Sequence, residues 1–211
     1  MNTTSHSKAN AGASKSRSIP VVILAGGSSR RFGSPKGFAE VNGQRLLDRV
    51  VEALATQTEA PVVLNADHDG CYGYEAIELV PDIVRGRVGP LAGIHAALQW
   101  AGARGYPAVS TVPVDMPFLP HDFLARLNAQ TPPVIGKSDG RAHYVCGLWP
   151  TSLATPLREA LSTGLREVRH WVELCDAQTL VFTSDSLGRD PFFNVNTPEE
   201  LSYASDLALR G

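Results

Sequence analysis

The sequence predicts an α/β fold, a mostly parallel sheet with helices on both faces. Three observations carry the prediction. Strand, loop and helix patterns alternate repeatedly over about the first 130 residues, which calls for parallel strands joined by right-handed crossovers in a Rossmann-like sheet. The β-branched run Pro20 to Leu24 gives way abruptly to Ala25, Gly26, Gly27, Ser28 and Ser29, as where a buried parallel strand turns sharply at its end. Near the other terminus, Thr197-Pro198-Glu199-Glu200 is a capping box with proline at the first helical position, so a helix starts there.

After the small-residue loop, residues 37 to 43 read as a short irregular or extended piece closed by the turn pair Asn42-Gly43. Leu46, Leu47, Val50, Val51 and Leu54 recur at helical spacing, predicting a helix from about Arg45 to Gln57 with one apolar face. Pro61 to Ala66 is a second apolar strand, ending at Asn65 and Asp67, and Ala76 to Val80 a third, ending in Pro81-Asp82. Gly86 to Gly93 is another small-residue loop, and Pro90 opens the helix that runs through Trp100 to a stop near Gly102 or Gly105. Val109 to Val114 is the next strand, closed by Asp115-Met116-Pro117, and a short helix covers about His121 to Asn128.

The second half is less regular. Pro133 to Lys137 and Ala142 to Trp149 flank Ser138-Asp139-Gly140, a hairpin signal. Helices read at about Pro156 to Leu161 and Leu165 to Cys175, a strand near Thr179 to Thr183, and a last short strand at Phe192 to Val195. Linkers, charge blocks and repeats are lacking, so residues 19–211 are expected to form one domain. Met1 to Ser18 is rich in Ser, Asn, Ala and Lys without an apolar stretch, and reads as a disordered leader; its basic, acid-free composition also admits a short transit peptide.

Composition limits the partners. The chain has 211 residues, 43% hydrophobic and 19% charged, with a net charge of −2, so no bulk field draws nucleic acid and an anionic ligand must be held by local positive charge. No apolar run approaches the roughly 18 residues a membrane helix needs. Cys71, Cys146 and Cys175 are sparse, odd in number and far apart, which argues against a disulfide framework or a zinc site and for a reducing cytoplasm.

The chemistry concentrates where strands end. Without Cβ atoms, the backbone after Leu24 can bring its N–H groups to phosphate oxygens, and Arg30, Arg31 and Lys36 supply matching positive charge. Neither the Walker pattern nor the dinucleotide fingerprint is present. In open α/β sheets, ligands sit beyond the carboxyl ends of the strands. The Gly26–Lys36 loop, Asn65, Asp82, the loop bearing Gly89 and Gly93, and Asp115 all fall on that edge. Asp115 emerges there as either a metal carboxylate or a turn cap, and Asn65 and Asp82 read by themselves as strand-end turn residues. Asn194 and Asn196 alternate, which places both on one face of the expected last strand.

Leu-Ala-Gly-Gly-x-x-x-Arg-x-Gly-x-x-Lys, from Leu24 to Lys36, resembles the signature of nucleotidyltransferases with a Rossmann-like domain, and in detail that of the molybdenum cofactor guanylyltransferase family. The resemblance extends over most of residues 19–207. It implies a three-layer α/β/α nucleotidyltransferase fold and transfer of GMP from GTP to molybdopterin, with Mg²⁺ as cofactor. It further implies that Asp115, in Asp-x-Pro, holds the Mg²⁺, that Lys36 neutralises the leaving phosphates, and that Arg31, in preference to Arg30, stabilises the transferred group. Leu24, Ala25, Gly26, Gly27, Asn65, Asp82, Gly89 and Gly93 would surround the nucleotide, with Asn194 and Asn196 on the cofactor side. Molybdoenzyme chaperones or cofactor-insertion proteins are the implied protein partners. His143 falls where the family often shows His-Pro, but Tyr144 follows it here, a departure on the pterin side. One pattern in the family also has one more residue between the glycines and the lysine.

Two rival classes remain at this point. One is a cytidylyltransferase for the same cofactor, or an enzyme making a nucleotide-sugar or nucleotide-alditol; the cytidylyltransferase relatives typically show Ala-Ala-Gly where this chain has Ala25-Gly26-Gly27. The other is a nucleotide-sensing or scaffold subunit that kept the fold, against which the presence of both Lys36 and Asp115 argues.

Overall fold

The computed structural model describes residues 18–26, 36–66, 77–84 and 89–210. A six-stranded sheet runs through these segments in the order β4-β1-β5-β7-β6-β8. Its strands are β1 (Val21–Leu24), β4 (Val62–Asn65), β5 (Ala108–Pro113), β6 (Val134–Ser138), β7 (Arg141–Pro150) and β8 (Gln178–Val181). A separate hairpin pairs β2 (Glu40–Val41) with β3 (Gln44–Arg45). The helices are α1 (Leu46–Ala55), α2 (Pro90–Ala103), α3 (Phe123–Asn128), α4 (Ala154–Ser162), α5 (Val168–Leu174) and α6 (Pro198–Ala208).

Alternation along the buried strands builds the layers. In β1, Val21 and Ile23 join a core with Leu47, Val50 and Leu54 of α1 and Phe123, Leu124 and Leu127 of α3. Val22 and Leu24 face the other way, into a core with Leu91, Ile94 and Leu98 of α2, Leu157 and Leu161 of α4, and Trp171 and Val172 of α5. The period-two pleat thus places one helical layer on each face. A third, smaller cluster joins Val41, Leu46 and Val195 to Ala204 of α6.

β1 pairs in parallel with β4 on one side and β5 on the other. The chain leaves β1 through α1 to reach β4, then returns through α2 to β5, so the winding direction reverses at β1. That reversal opens a crevice beyond the carboxyl end of β1, where doubly wound sheets bind ligands. The sheet is mixed, because β7 runs antiparallel to both β5 and β6. Asp139 (φ 44°) and Gly140 (φ 77°) form the left-handed two-residue turn that right-twisted strands favour, and the hairpin is therefore β6-β7, with β7 inserted beside β5.

Two expected strands differ. Of Ala76 to Val80, the described residues make a single parallel bridge, Leu79 to Leu64, because Pro81 ends the run without a backbone donor. Phe192 to Val195 is not a strand. Its donors go elsewhere, Phe192 N–H to Asp190 Oδ1 and Val195 N–H to Asp115 O. What anchors it instead is packing: the Phe192 ring is buried against Phe123 and Phe182, with centroids 6.0 and 5.1 Å away. The leader expected over residues 1–18 lies, apart from Ser18, outside the described residues, as do Gly27, Arg30 and Arg31. Among the described residues, no helix is long and apolar enough to cross a membrane.

Candidate active site

Three strand ends meet at the crevice. Leu24 is in register with Asn65 of β4 and Pro113 of β5, and the ladder continues past them: Ala25 N–H donates to Asn65 O at 2.9 Å and Val114 N–H to Leu24 O at 3.1 Å. Asp115 therefore leaves β5 directly beside the start of the loop after β1. Its own carbonyl accepts from Val195 N–H at 3.0 Å, which ties in the segment before α6.

Lys36 stands at the centre of the polar groups. Its ammonium donates to Asp115 Oδ2 and to Asn196 Oδ1, each at 2.5 Å. Asp115 is buried, and its second oxygen, Oδ1, has no hydrogen-bond partner among the described residues. Burial pushes the Asp115 carboxyl above the usual carboxylate range; the Lys36 ammonium opposes that rise and the nearby Glu200 carboxylate adds to it. A buried carboxylate oxygen without a donor fits a hard divalent cation that keeps its waters and shares substrate phosphates. Among the described residues, no three His, Cys, Asp or Glu side chains cluster as an all-protein cage.

The segment carrying Asn194 and Asn196 is set by the start of α6. Thr197 caps that helix, and the Glu200 carboxylate returns to accept from Thr197 N–H at 3.0 Å and from Asn196 N–H at 2.6 Å. Asn196 Nδ2 donates to Asn194 O at 3.3 Å, and Asn194 Oδ1 is buried without a partner among the described residues. The two asparagines are thus neighbours in a loop rather than on one face of a strand. The capping box was legible in the sequence; the additional bond to Asn196 was not, since nothing in the local pattern distinguishes it.

On the other flank, Asn65 is buried and donates its amide hydrogens to Val80 O at 2.8 Å and Asp82 Oδ1 at 2.9 Å. These two acceptors fix which way the amide points. Its oxygen then faces the start of α2: a Cβ on Gly93 would lie 2.5 Å from Asn65 Oδ1 and 3.0 Å from Leu24 Cδ2. Gly93 lies inside α2 rather than in the loop expected to reach it, and its missing side chain lets the helix close on β1 and β4. Gly89 precedes the helix with φ +76°, a conformation that favours glycine.

His143, on β7, shares a hydrogen bond of 2.9 Å with Ser138 Oγ and packs on Phe192 at 4.7 Å between centroids. Burial holds its pKa below the ordinary histidine value. His95 is buried within α2. Cys146 and Cys175 are free thiols whose pKa values burial pushes up, that of Cys175 to about 12, so neither is poised as a thiolate nucleophile.

Among the described residues, the crevice therefore presents acidic oxygen, amide and ammonium, with no activated nucleophile. Comparison with known proteins agrees with that character. A family model described as a MobA-like NTP transferase domain matches residues 21–179. A protein of Rhizobium leguminosarum bv. trifolii named molybdenum cofactor guanylyltransferase is 43% identical over 196 residues, covering 88% of this chain and 91% of that relative. One of the same name from Bradyrhizobium sp. is 40% identical over 205 residues, covering 92% and 95%. Among solved structures, the molybdopterin-guanine dinucleotide biosynthesis protein A of Archaeoglobus fulgidus superposes with a TM-score of 0.71 at 26% identity, covering 92% of this chain and all of that one.

Proposed function

The chain belongs to the MobA-like NTP transferases, among the molybdenum cofactor guanylyltransferases, and from that membership we propose how it works: it transfers GMP from GTP to molybdopterin. The observation that carries the site assignment is Lys36, held between Asp115 and Asn196 at the end of the strand whose loop bears the family signature. In the reaction, an oxygen of the molybdopterin phosphate attacks the α-phosphorus of GTP. The bond from that phosphorus to the bridging oxygen breaks, and pyrophosphate leaves with the electron pair.

The acceptor phosphate has a second pKa of about 6 and is largely ionised near neutral pH. No proton has to be removed, so the chemistry asks for no histidine or carboxylate base. Catalysis then rests on position and charge. Asp115, through Oδ1, is the residue that would hold Mg²⁺, and the bound ion would neutralise charge developing on the phosphates. Lys36 places a second positive charge beside it, where the leaving β- and γ-phosphates collect. Arg31, or its neighbour Arg30, is proposed to meet the transferred phosphoryl group. Asn65, Asp82 and the close approach of α2 at Gly93 shape the nucleotide flank, with Gly26 and Gly89 bordering it and Gly27 assigned to it by the signature alone; Asn194 and Asn196 face the pterin.

The working location is the cytoplasm, with cofactor-insertion proteins as onward partners. The test is turnover of GTP and of CTP with molybdopterin and Mg²⁺, reading pyrophosphate release and the mass of the pterin product. Guanine presents N1–H and N2–H₂ donors beside O6, which cytosine cannot reproduce, so kcat/KM should favour GTP by roughly 100-fold or more. Equal use of CTP removes the guanylyl assignment and leaves a nucleotidyltransferase of other base specificity.

A further inference from the structure

We propose that Glu200 is a positioning residue for this transfer: its carboxylate fixes the backbone of Asn196 and, through the Asn196 side chain, the Lys36 ammonium. The inference rests on the active-site reading above and adds a residue to it. In an ordinary capping box, the acid at the third helical position serves the backbone N–H of the cap residue. Here the cap is Thr197, and Glu200 Oε2 serves it at 3.0 Å. The same oxygen also takes the N–H of Asn196, one residue outside the helix, at the shorter distance of 2.6 Å.

That extra bond reaches into the site. Asn196 lies beyond the regular backbone of α6, and its other bond within the segment is Nδ2 to Asn194 O, at 3.3 Å. Its side-chain oxygen nonetheless receives Lys36 Nζ at 2.5 Å, as Asp115 Oδ2 does. The chain of contacts therefore runs from Glu200 to the Asn196 backbone, from Asn196 to Lys36, and from Lys36 to Asp115. α6 is 11 residues long and packs Ala204 and Leu207 inward, so the acid sits on an anchored element. Displacements of about 1 Å in such groups cost around 100-fold in rate.

The hydrogen bond and the charge of Glu200 are separable. Glu200→Gln keeps an acceptor oxygen and loses the charge; Glu200→Ala loses both. Thr197→Ala removes the other half of the capping box but leaves the Asn196 bond. With GTP, molybdopterin and Mg²⁺, Glu200→Ala should lower kcat by about 10- to 100-fold, whereas Glu200→Gln and Thr197→Ala should stay within a few fold of wild type, although Thr197→Ala and Glu200→Ala both lower the melting temperature. In an Asn196→Ala background, Glu200→Ala should cost almost nothing further, because the two act through one path.

Amide hydrogen exchange reads the clamp without turnover. The Asn196 amide should be protected in wild type, Glu200→Gln and Thr197→Ala, and lose that protection in Glu200→Ala. If wild type fails to use GTP, the proposed reaction fails while exchange still decides the clamp. Full additivity of Glu200→Ala with Asn196→Ala, equal losses in Thr197→Ala and Glu200→Ala, or an Asn196 amide indifferent to Glu200 would each overturn the proposal.

Discussion

Lys36 and Asp115 are 79 positions apart in the chain and form an ion pair of 2.5 Å with side chains only 20% and 12% exposed. The pair exists because β1 and β5 are parallel neighbours whose carboxyl ends coincide, so the segments leaving both strands enter one crevice. It sets a cation and a carboxylate side by side at the site proposed for the nucleoside triphosphate and its metal.

Asp115→Asn keeps the shape of the side chain and removes its charge. Turnover with GTP, molybdopterin and Mg²⁺ should fall by at least about 100-fold, since the lost interaction is strongest with the charged transition state. Circular dichroism should show the fold retained. A near wild-type rate at saturating Mg²⁺ would remove Asp115 from the site.

Lys36→Ala should weaken GTP binding much more than guanosine or GMP binding, because its ammonium is expected to meet the leaving phosphates and not the base. Titration calorimetry with the three ligands measures this. Equal losses for all three would place Lys36 in folding or elsewhere in the crevice.

Gly93→Ala puts a methyl group 2.5 Å from Asn65 Oδ1. The Asn65 amide is held by Val80 and Asp82 and cannot yield freely, so α2 or Asn65 must shift. Overpacking of this kind costs about 1–3 kcal/mol, to be read in urea unfolding, and GTP affinity should fall with it. A substitution neutral in both measurements would show that the helix tolerates a side chain there.

His95 predicts acid sensitivity. It is buried, and neither ring nitrogen has a hydrogen-bond partner among the described residues; burial, with Arg158 nearby, lowers its pKa. Above the ordinary histidine pKa of about 6.5 the ring is neutral in both folded and unfolded chains, and it contributes no pH dependence. Below that, the unfolded chain takes up a proton the folded one refuses, so stability falls with pH until the folded pKa is reached, by at most about 1.4 kcal/mol per pH unit. Urea midpoints between about pH 7.5 and pH 5 should decline less steeply in His95→Leu than in wild type; the same slope in both would assign the acid sensitivity to other groups.

Local chemistry was enough for most of the elements. The periodicity of Leu46 to Leu54 specified α1, Pro90 marked the first residue of α2, and Thr197 to Glu200 marked the start of α6, because each signal acts within one or two helical turns. The turn pair Asp139-Gly140 likewise announced the β6-β7 hairpin, whereas Asn42-Gly43 announced a turn but not the β2-β3 pairing around it. The sequence also placed Asn65 and Asp115 at strand ends, since an apolar run that stops at a polar residue declares its own limit.

Sequence patterns placed the Lys36 loop, Asn65 and Asp115 on one edge of the sheet, but not which side chains there would touch. Lys36 reaches Asn196 across 160 positions because α6 docks on the β2-β3 hairpin and Val195 bonds to Asp115, and no local pattern encodes either event. The same holds for β7, whose hairpin was legible but whose insertion beside β5 was decided by sheet pairing, and for Phe192 to Val195, whose β-like pattern yielded to burial of the Phe192 ring. Glu200 is the sharpest case: the capping box is a property of four consecutive residues, whereas its hold on the site depends on Lys36 and Asp115 arriving from distant parts of the chain. Short-range geometry is set by backbone sterics and side-chain spacing, and so can be read along the chain. The juxtaposition of charges in the crevice arises only when two apolar cores close on the sheet, and that is a property of the packed molecule.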